Sequence, residues 1–266
     1  EAERNCWLNQ SARSAGNKPA ILRRMTPALV IFDCDGVLVD SEAIANRIMA
    51  ETITATGIPI TTEECQARFV GGTLQRVIDT VEQWLGRPLP EGWREEFEAR
   101  RNEAFRRELQ PVPGVAQAIE TLRASGVPIC VASSGTLDKM NLTLGLTGLR
   151  DHFGDNLFTA SSVAEGKPAP DLFLYAAEQM GQLPENCTVV EDSLLGVTAA
   201  VAAGMRVLAY TAGGDSDALK AAGGQPFSDM AELPGLLALG TRLARAECAG
   251  PATHGANPRP VNRRAP

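Results

Sequence analysis

Short apolar runs alternate with helical stripes along most of the chain. Residues Ala28 to Phe32 form a compact apolar run that ends at Asp33 and meets Gly36, the pattern of a buried strand passing into a loop. Val127 to Ala132, Thr188 to Val190 and Val207 to Ala209 repeat that form. Between them lie stripes at helical spacing: Val115, Ala118, Ile119 and Leu122 fall at i, i+3, i+4 and i+7, and Leu172, Phe173, Ala176, Ala177 and Met180 repeat the arrangement. Leu195 to Ala203 is apolar nearly all round, as suits a helix packed tightly on a sheet. Strand, helix and strand in succession predict an α/β fold, a doubly wound parallel sheet with helices on both faces.

One stretch breaks the alternation. From Ser41 to Gln110 no strand pattern occurs; helical stripes cover Glu42 to Thr56, Thr73 to Leu85 and Trp93 to Leu109, with twelve acidic and nine arginine residues and no lysine. The alternation resumes at Pro111-Val112-Pro113-Gly114. The predicted organisation is an α/β core over residues 25–40 and 112–240, with an all-helical cap inserted at 41–111. An insertion there lies above the carboxyl ends of the strands, where open α/β sheets bind ligands. The cap is a candidate lid.

Residues 1–24 and 241–266 have no sustained periodicity and too little apolar content to order themselves, so both are expected to be disordered extensions, the second of them basic. These ends carry +3 and +4, which leaves -14 on the rest of a chain whose total is -7. A body so acidic is a poor nucleic-acid binder, because that affinity rests on neutralising phosphates with Lys and Arg. An anionic substrate would need local cations to offset the field. No apolar run approaches the roughly 18 residues of a spanning helix, and residues 1–24 lack the apolar region of a signal peptide. The expected setting is the cytoplasm, with no membrane partner. The six cysteines stand at 6, 34, 65, 130, 187 and 248, never closer than 28 residues, which excludes C-x-x-C and zinc-ligand spacing. Cys34, Cys130 and Cys187 lie in or beside strands and read as reduced core residues.

The strongest chemical signal is Asp33-Cys34-Asp35-Gly36-Val37-Leu38, directly after a buried strand. Two carboxylates two residues apart repel unless a cation or a shared proton intervenes. Mg²⁺ meets that need, being an oxygen-seeking ion commonly bound by one or two carboxylates plus phosphate and water. The plainer reading is a polar turn whose Asp40 or Ser41 caps a helix. At the end of a second strand stand Ser133, Ser134 and Gly135, which offer hydroxyl and backbone donors to phosphate oxygens or simply cap the next helix. In Glu165-Gly166-Lys167-Pro168-Ala169-Pro170-Asp171 two prolines stiffen the loop and leave Lys167 as a point charge for phosphate. Glu191-Asp192-Ser193 then ends another strand with a second acidic pair. Four carboxylates at one sheet edge point to a metal.

In their order along the chain, Asp33-x-Asp35-Gly36, Ser133, Lys167 in Gly-Lys-Pro-x-Pro-Asp, and Glu191-Asp192-Ser193 resemble the four motifs of the haloacid dehalogenase-like phosphohydrolase superfamily. The nearest group is the phosphatases and β-phosphoglucomutases with a helical cap after the first motif. The resemblance runs from about Met25 to Leu237 and implies a Rossmann-like core. It implies that Asp33 attacks phosphorus to form an aspartyl-phosphate, and that Asp35 protonates the leaving oxygen and then activates water. It further implies that Asp33, the backbone carbonyl of Asp35 and Asp192 hold Mg²⁺, with Glu191 ligating or just behind, while Ser133, Ser134 and Lys167 neutralise the phosphoryl group. Asp35 favours a phosphatase over a dehalogenase, because halide needs no proton to leave.

The cap segment Arg68-Phe69-Val70-Gly71-Gly72-Thr73-Leu74-Gln75-Arg76 is similar to the specificity loop of these caps. Gly71, Gly72, Thr73 and Arg76 are accordingly candidate substrate-facing residues, although Thr73 reads equally as a helix N-cap. The mutases carry a His early in the first cap helix and an Arg soon after the loop glycine, where this chain has Ala45 and Leu74. The expected function is therefore a Mg²⁺-dependent phosphatase of a small phosphorylated metabolite, a sugar phosphate or phosphorylated sugar acid. The alternative is β-phosphoglucomutase-type transfer between sugar hydroxyls. The chain is expected to act as a monomer or small homo-oligomer.

Overall fold

Along the chain, β1 (Leu29–Phe32) is followed by four helices, α1 (Glu42–Thr54), α2 (Thr62–Phe69), α3 (Leu74–Leu85) and α4 (Trp93–Glu108). Next come α5 (Val115–Ala124), β2 (Ile129–Ser133), α6 (Leu137–Leu146), β3 (Leu157–Thr159), α7 (Asp171–Gln179) and β4 (Cys187–Glu191). The chain continues with α8 (Leu194–Ala202), β5 (Arg206–Tyr210), α9 (Ser216–Ala221), β6 (Gln225–Phe227) and α10 (Leu233–Leu236). The structure is a computed structural model and describes residues 26–69, 72–211 and 215–238. The extensions expected at 1–24 and 241–266 lie outside those residues, as does Gly71.

All six strands are parallel, in the order β3-β2-β1-β4-β5-β6. This is the predicted doubly wound α/β architecture. From β1 the chain winds out to β3, then returns to β4 and winds the other way, so the order reverses between β1 and β4. Open sheets bind ligands at that crevice. Strand alternation divides the core in two. Val30 and Phe32 face a core containing the α5 stripe Val115, Ala118, Ile119 and Leu122, while Leu29 and Ile31 face one containing Leu172, Phe173, Ala176 and Ala177 of α7. Full burial of each large aliphatic side chain contributes about 1.5–3 kcal/mol. The predicted helical stripes are thus the buried ones. Cys34, Cys65, Cys130 and Cys187 are free thiols within these cores. No described helix is long and apolar enough to cross a membrane.

Helices α1 to α4 all lie between β1 and β2 and form the helical cap. The chain leaves and rejoins the core side by side, because the Asp40 N–H donates to the Gln110 carbonyl and the Val112 N–H to the Leu38 carbonyl, each at 3.0 Å. Ile44, Ile48 and Ile53 of α1 pack with Phe97 and Phe105 of α4 in an apolar seam continuous with the first core. Surface pairs Arg47–Glu108 and Arg100–Glu51, both at 2.7 Å, stitch α1 to α4, and each contributes about 0–1 kcal/mol.

Several elements were not foreseen, among them α2, β3 and β6. Helix α2 buries only Cys65 and Phe69, too short a stripe to announce itself, and it takes Arg68 and Phe69 out of the expected loop into its last turn. Strands β3 and β6 have three residues each and lie at the two edges of the sheet. Short edge strands carry almost no periodic signal.

Candidate active site

Parallel register brings three strand ends into line. Phe32 pairs with Val131 of β2 and with Val190 of β4, so Asp33, one residue further on, stands between the ends of both neighbours. Its N–H donates to the Val190 carbonyl at 2.9 Å. Lys167, from the loop before α7, reaches under it. Its Nζ lies 2.5 Å from Asp33 Oδ1, 2.7 Å from Glu191 Oε1 and 3.2 Å from the Ala132 carbonyl. Three acceptors thus meet the three ammonium protons of a side chain that is only 1% exposed. The Phe173 ring lies 4.8 Å beneath the same nitrogen. Glu191 Oε2 accepts from the Ser193 N–H at 2.6 Å. The fit requires Gly196, where any Cβ would overlap the Glu191 carboxylate.

Asp35 has separate partners. Lys139 Nζ sits 2.8 Å from both of its carboxylate oxygens, and the Ser41 hydroxyl donates to Oδ1 at 2.5 Å. Ser41 makes no side-chain cap to α1, so the reading of this segment as a mere helix-capping turn does not describe it. Gly36 has φ +80, and a Cβ on it would collide with the Asp192 carboxylate, which therefore lies directly against the Asp33–Asp35 loop. Ser133 is buried, and its Oγ accepts from the Gly135 N–H at 3.0 Å.

A cavity of about 530 Å³ opens above these groups and is roofed by the cap. Asp33, Asp35, Ser133, Ser134, Lys167, Glu191 and Asp192 all line it, as do Gly72 and Thr73. Thr73 serves both expected uses, because it also caps α3 by accepting from the Arg76 N–H at 3.3 Å. Arg76 is exposed on α3 and is not among the lining residues; Leu74 and Gln75 line the cavity there instead. Sequence reasoning missed Lys139 and Arg101. Lys139 sits 104 residues from its partner in a helix with no motif around it. Arg101 belongs to an arginine-rich helix, where only the stripe Arg94, Phe97, Glu98 and Arg101, at i, i+3, i+4 and i+7, could have marked the cavity face.

Crowded carboxylates set the electrostatics. Burial pushes Asp33 up to about 7, with Glu191 and Asp35 adding to the rise and Lys167 opposing it. Burial likewise raises Glu42 to about 7, helped by Asp35 and Asp33, and it holds Asp192 well above the usual carboxylate range, helped by Glu191, Glu42 and Asp33. Burial alone would lower Lys167, but Asp33 and Glu191 outweigh it and keep the ammonium charged. Asp35 runs the other way: burial would raise it, and Lys139 and Ser41 bring it below its ordinary value.

The four carboxylates expected to hold a metal share one cavity but divide between different cations. Among the described residues no three or more His, Cys, Asp or Glu side chains gather as a ready-made metal cage. Glu191 gives its oxygens to Lys167 and Ser193, and Asp35 gives its own to Lys139 and Ser41. Asp33 keeps Oδ2 beyond the oxygen held by Lys167, and Asp192 forms no ion pair among the described residues; burial raises both, with negative neighbours adding to the rise. An all-oxygen donor set of one or two carboxylates, short of positive charge and open to a cavity, fits Mg²⁺ completed by water and phosphate.

Residues 27–204 match the haloacid dehalogenase-like hydrolase family, and the chain belongs to it. The chain is 33% identical over 208 residues to the 6-phosphogluconate phosphatase of Escherichia coli, covering 78% of this chain and 93% of that one. It is 31% identical over 187 residues to hexitol phosphatase B of the same organism, covering 68% and 82%. A solved haloacid dehalogenase-like protein of unknown function from Agrobacterium tumefaciens superposes with a TM-score of 0.67 at 34% identity, covering 80% of this chain and 99% of that one. The chain is a phosphoric monoester hydrolase acting on small phosphorylated metabolites.

Proposed function

We propose that the protein hydrolyses a phosphorylated sugar or sugar acid with Mg²⁺, through an aspartyl-phosphate on Asp33. The observation that carries this reading is the separation of the two aspartates. Asp33 is held by Lys167, whereas Asp35, two residues on, is turned to Lys139 and Ser41. The pair can therefore take different roles in one reaction. Asp33 Oδ attacks phosphorus, and the bond to the leaving oxygen breaks as Asp35 delivers a proton to that oxygen. Asp35 then takes a proton from water, the water oxygen attacks phosphorus, and the Asp33–phosphorus bond breaks to free inorganic phosphate. Lys139 favours the ionised Asp35 that this second step needs, and the proton Asp35 takes from water there is the one it delivers to the leaving oxygen of the next turnover. Lys167 and Ser133 meet the charge on the phosphoryl oxygens, where positioning and electrostatics supply most of the catalysis. Asp33, Asp192 and the Asp35 carbonyl would hold Mg²⁺, which neutralises phosphoryl charge when bound.

The cavity wall supports hydrolysis over mutase-type transfer. Ala45 and Leu74, which stand where the mutases carry His and Arg, both line the cavity and are apolar. The test is a panel of phosphorylated metabolites with purified protein, scored by released phosphate. Sugar and sugar-acid phosphates should be hydrolysed with Mg²⁺, with loss of activity on chelation and in Asp33→Asn. Full turnover by Asp33→Asn would remove the nucleophile. Conversion of β-glucose 1-phosphate and a bisphosphate primer to glucose 6-phosphate without free phosphate would make the protein a mutase.

A further inference from the structure

Arg101 is the most deeply buried charged residue of the described cap, 8% exposed, and it lines the same cavity as Asp33 and Asp35. Other cap arginines are satisfied at the surface: Arg47, Arg100 and Arg106 pair with glutamates, and Arg94 donates to Gln75. Arg101 has no ion-pair partner among the described residues. Its recorded side-chain hydrogen bonds run from Nε and Nη2, at 3.3 and 3.1 Å, to the neutral Oδ1 of its neighbour Asn102. The guanidinium lies over the rings of Phe97 and Phe105, at 5.3 and 5.8 Å, which fix its plane. Burial lowers its pKa, opposed by Glu98 and Asp35, yet a guanidinium does not deprotonate in a protein. A buried, unpaired charge is costly unless an anion completes it. Asp35 is already taken by Lys139, and among the described residues Glu98, one turn back on α4, forms no ion pair with Arg101, which leaves the guanidinium open to an anion from outside the chain.

We infer that Arg101 receives a carboxylate on the leaving-group side of the substrate, which makes the enzyme selective for phosphorylated hydroxy acids over neutral sugar phosphates. The inference rests on the phosphatase reading above. There the phosphoryl group is engaged by Lys167 and Ser133 on the floor and the leaving oxygen by Asp35, so the rest of the substrate extends toward α4. The planar fork of arginine matches a carboxylate with two parallel hydrogen bonds. A second phosphoryl group shares the anionic chemistry, so the test must separate the two.

The experiment compares kcat/KM for three substrates of the Mg²⁺-loaded full chain: a six-carbon aldonic acid 6-phosphate, the matching alditol 6-phosphate and the alditol 1,6-bisphosphate. The wild type should prefer the acid over the alditol by about 10- to 100-fold, the worth of a hydrogen-bonded charge. In Arg101→Met that ratio should fall toward one, with Arg101→Lys in between. A merely structural role would lower both substrates by the same factor and leave the ratio unchanged, and that result overturns the inference. So does a wild type with no acid preference, or an Arg101-dependent preference for the bisphosphate over the acid. Product inhibition of the wild type needs no variant to fold: the free aldonate should inhibit more strongly than the alditol, and equal inhibition overturns the inference. Asp33-dependent hydrolysis without acid preference removes this inference alone, whereas absence of phosphate release from every substrate removes the phosphatase reading beneath it.

Discussion

On the floor of the cavity Lys167 bridges Asp33 and Glu191, Lys139 holds Asp35, and backbone N–H groups fix Glu191 and Ser133. On the roof, Ala45 and Leu74 present apolar surface, and Arg101 meets a neighbouring amide and two aromatic rings but no ion-pair partner among the described residues. The floor hangs from the ends of three paired strands, the roof from helices inserted at one point of the chain. A reaction that needs groups placed to a fraction of an ångström belongs on the sheet. Selection among leaving groups belongs to side chains the fold leaves unsatisfied.

The contrast breaks first at Lys167. Lys167→Ala should lower kcat/KM by about 10²- to 10³-fold, as for loss of one preorganised donor. It should also cost about 3–5 kcal/mol of stability in urea unfolding, because two buried carboxylates lose their cation. Glycines sharpen it next. Gly196→Ala on the floor drives a methyl into Glu191 and should cost about 1–3 kcal/mol together with activity. Gly86→Ala on the roof meets no atom and carries only the strain of φ +65, about 1 kcal/mol, with kcat unchanged. A pH dependence tests the crowding of the carboxylates itself. Asp33 and Glu42 are raised to about 7 from ordinary values of 3.8 and 4.5. The folded chain thus binds more protons than the unfolded one across that window, so without a divalent ion stability falls as pH rises from about 4 to 7. Thermal unfolding should show Mg²⁺ raising Tm more at pH 8 than at pH 5, and equal gains would contradict the crowding of these carboxylates.

Much of the floor was legible in the letters because its groups directly follow apolar runs: Asp33 after Ala28 to Phe32, Ser133 after Val127 to Ala132, Glu191 after Thr188 to Val190. Parallel pairing carries such residues to a common edge without further information. Two charges that tune the cavity were not legible. Lys139 and Arg101 sit within helices, where a charged residue ordinarily faces water, and only packing reveals that Lys139 reaches Asp35 and that Arg101 is buried. The same limit hid α2, whose polar sequence buries two side chains, and it made Arg76 a candidate although α3 turns it outward.

The chemistry assigned to Asp33 is tested most directly in Asp35→Asn with p-nitrophenyl phosphate and Mg²⁺. That leaving group departs without a proton, while release of phosphate from the protein has lost its base. The expected result is a burst of nitrophenol equal to the protein concentration, with the phosphoryl group found on Asp33 by peptide mapping after acid quench. Linear turnover at the wild-type rate without an adduct, or a phosphoryl group on Ser133 or any other residue, would contradict it.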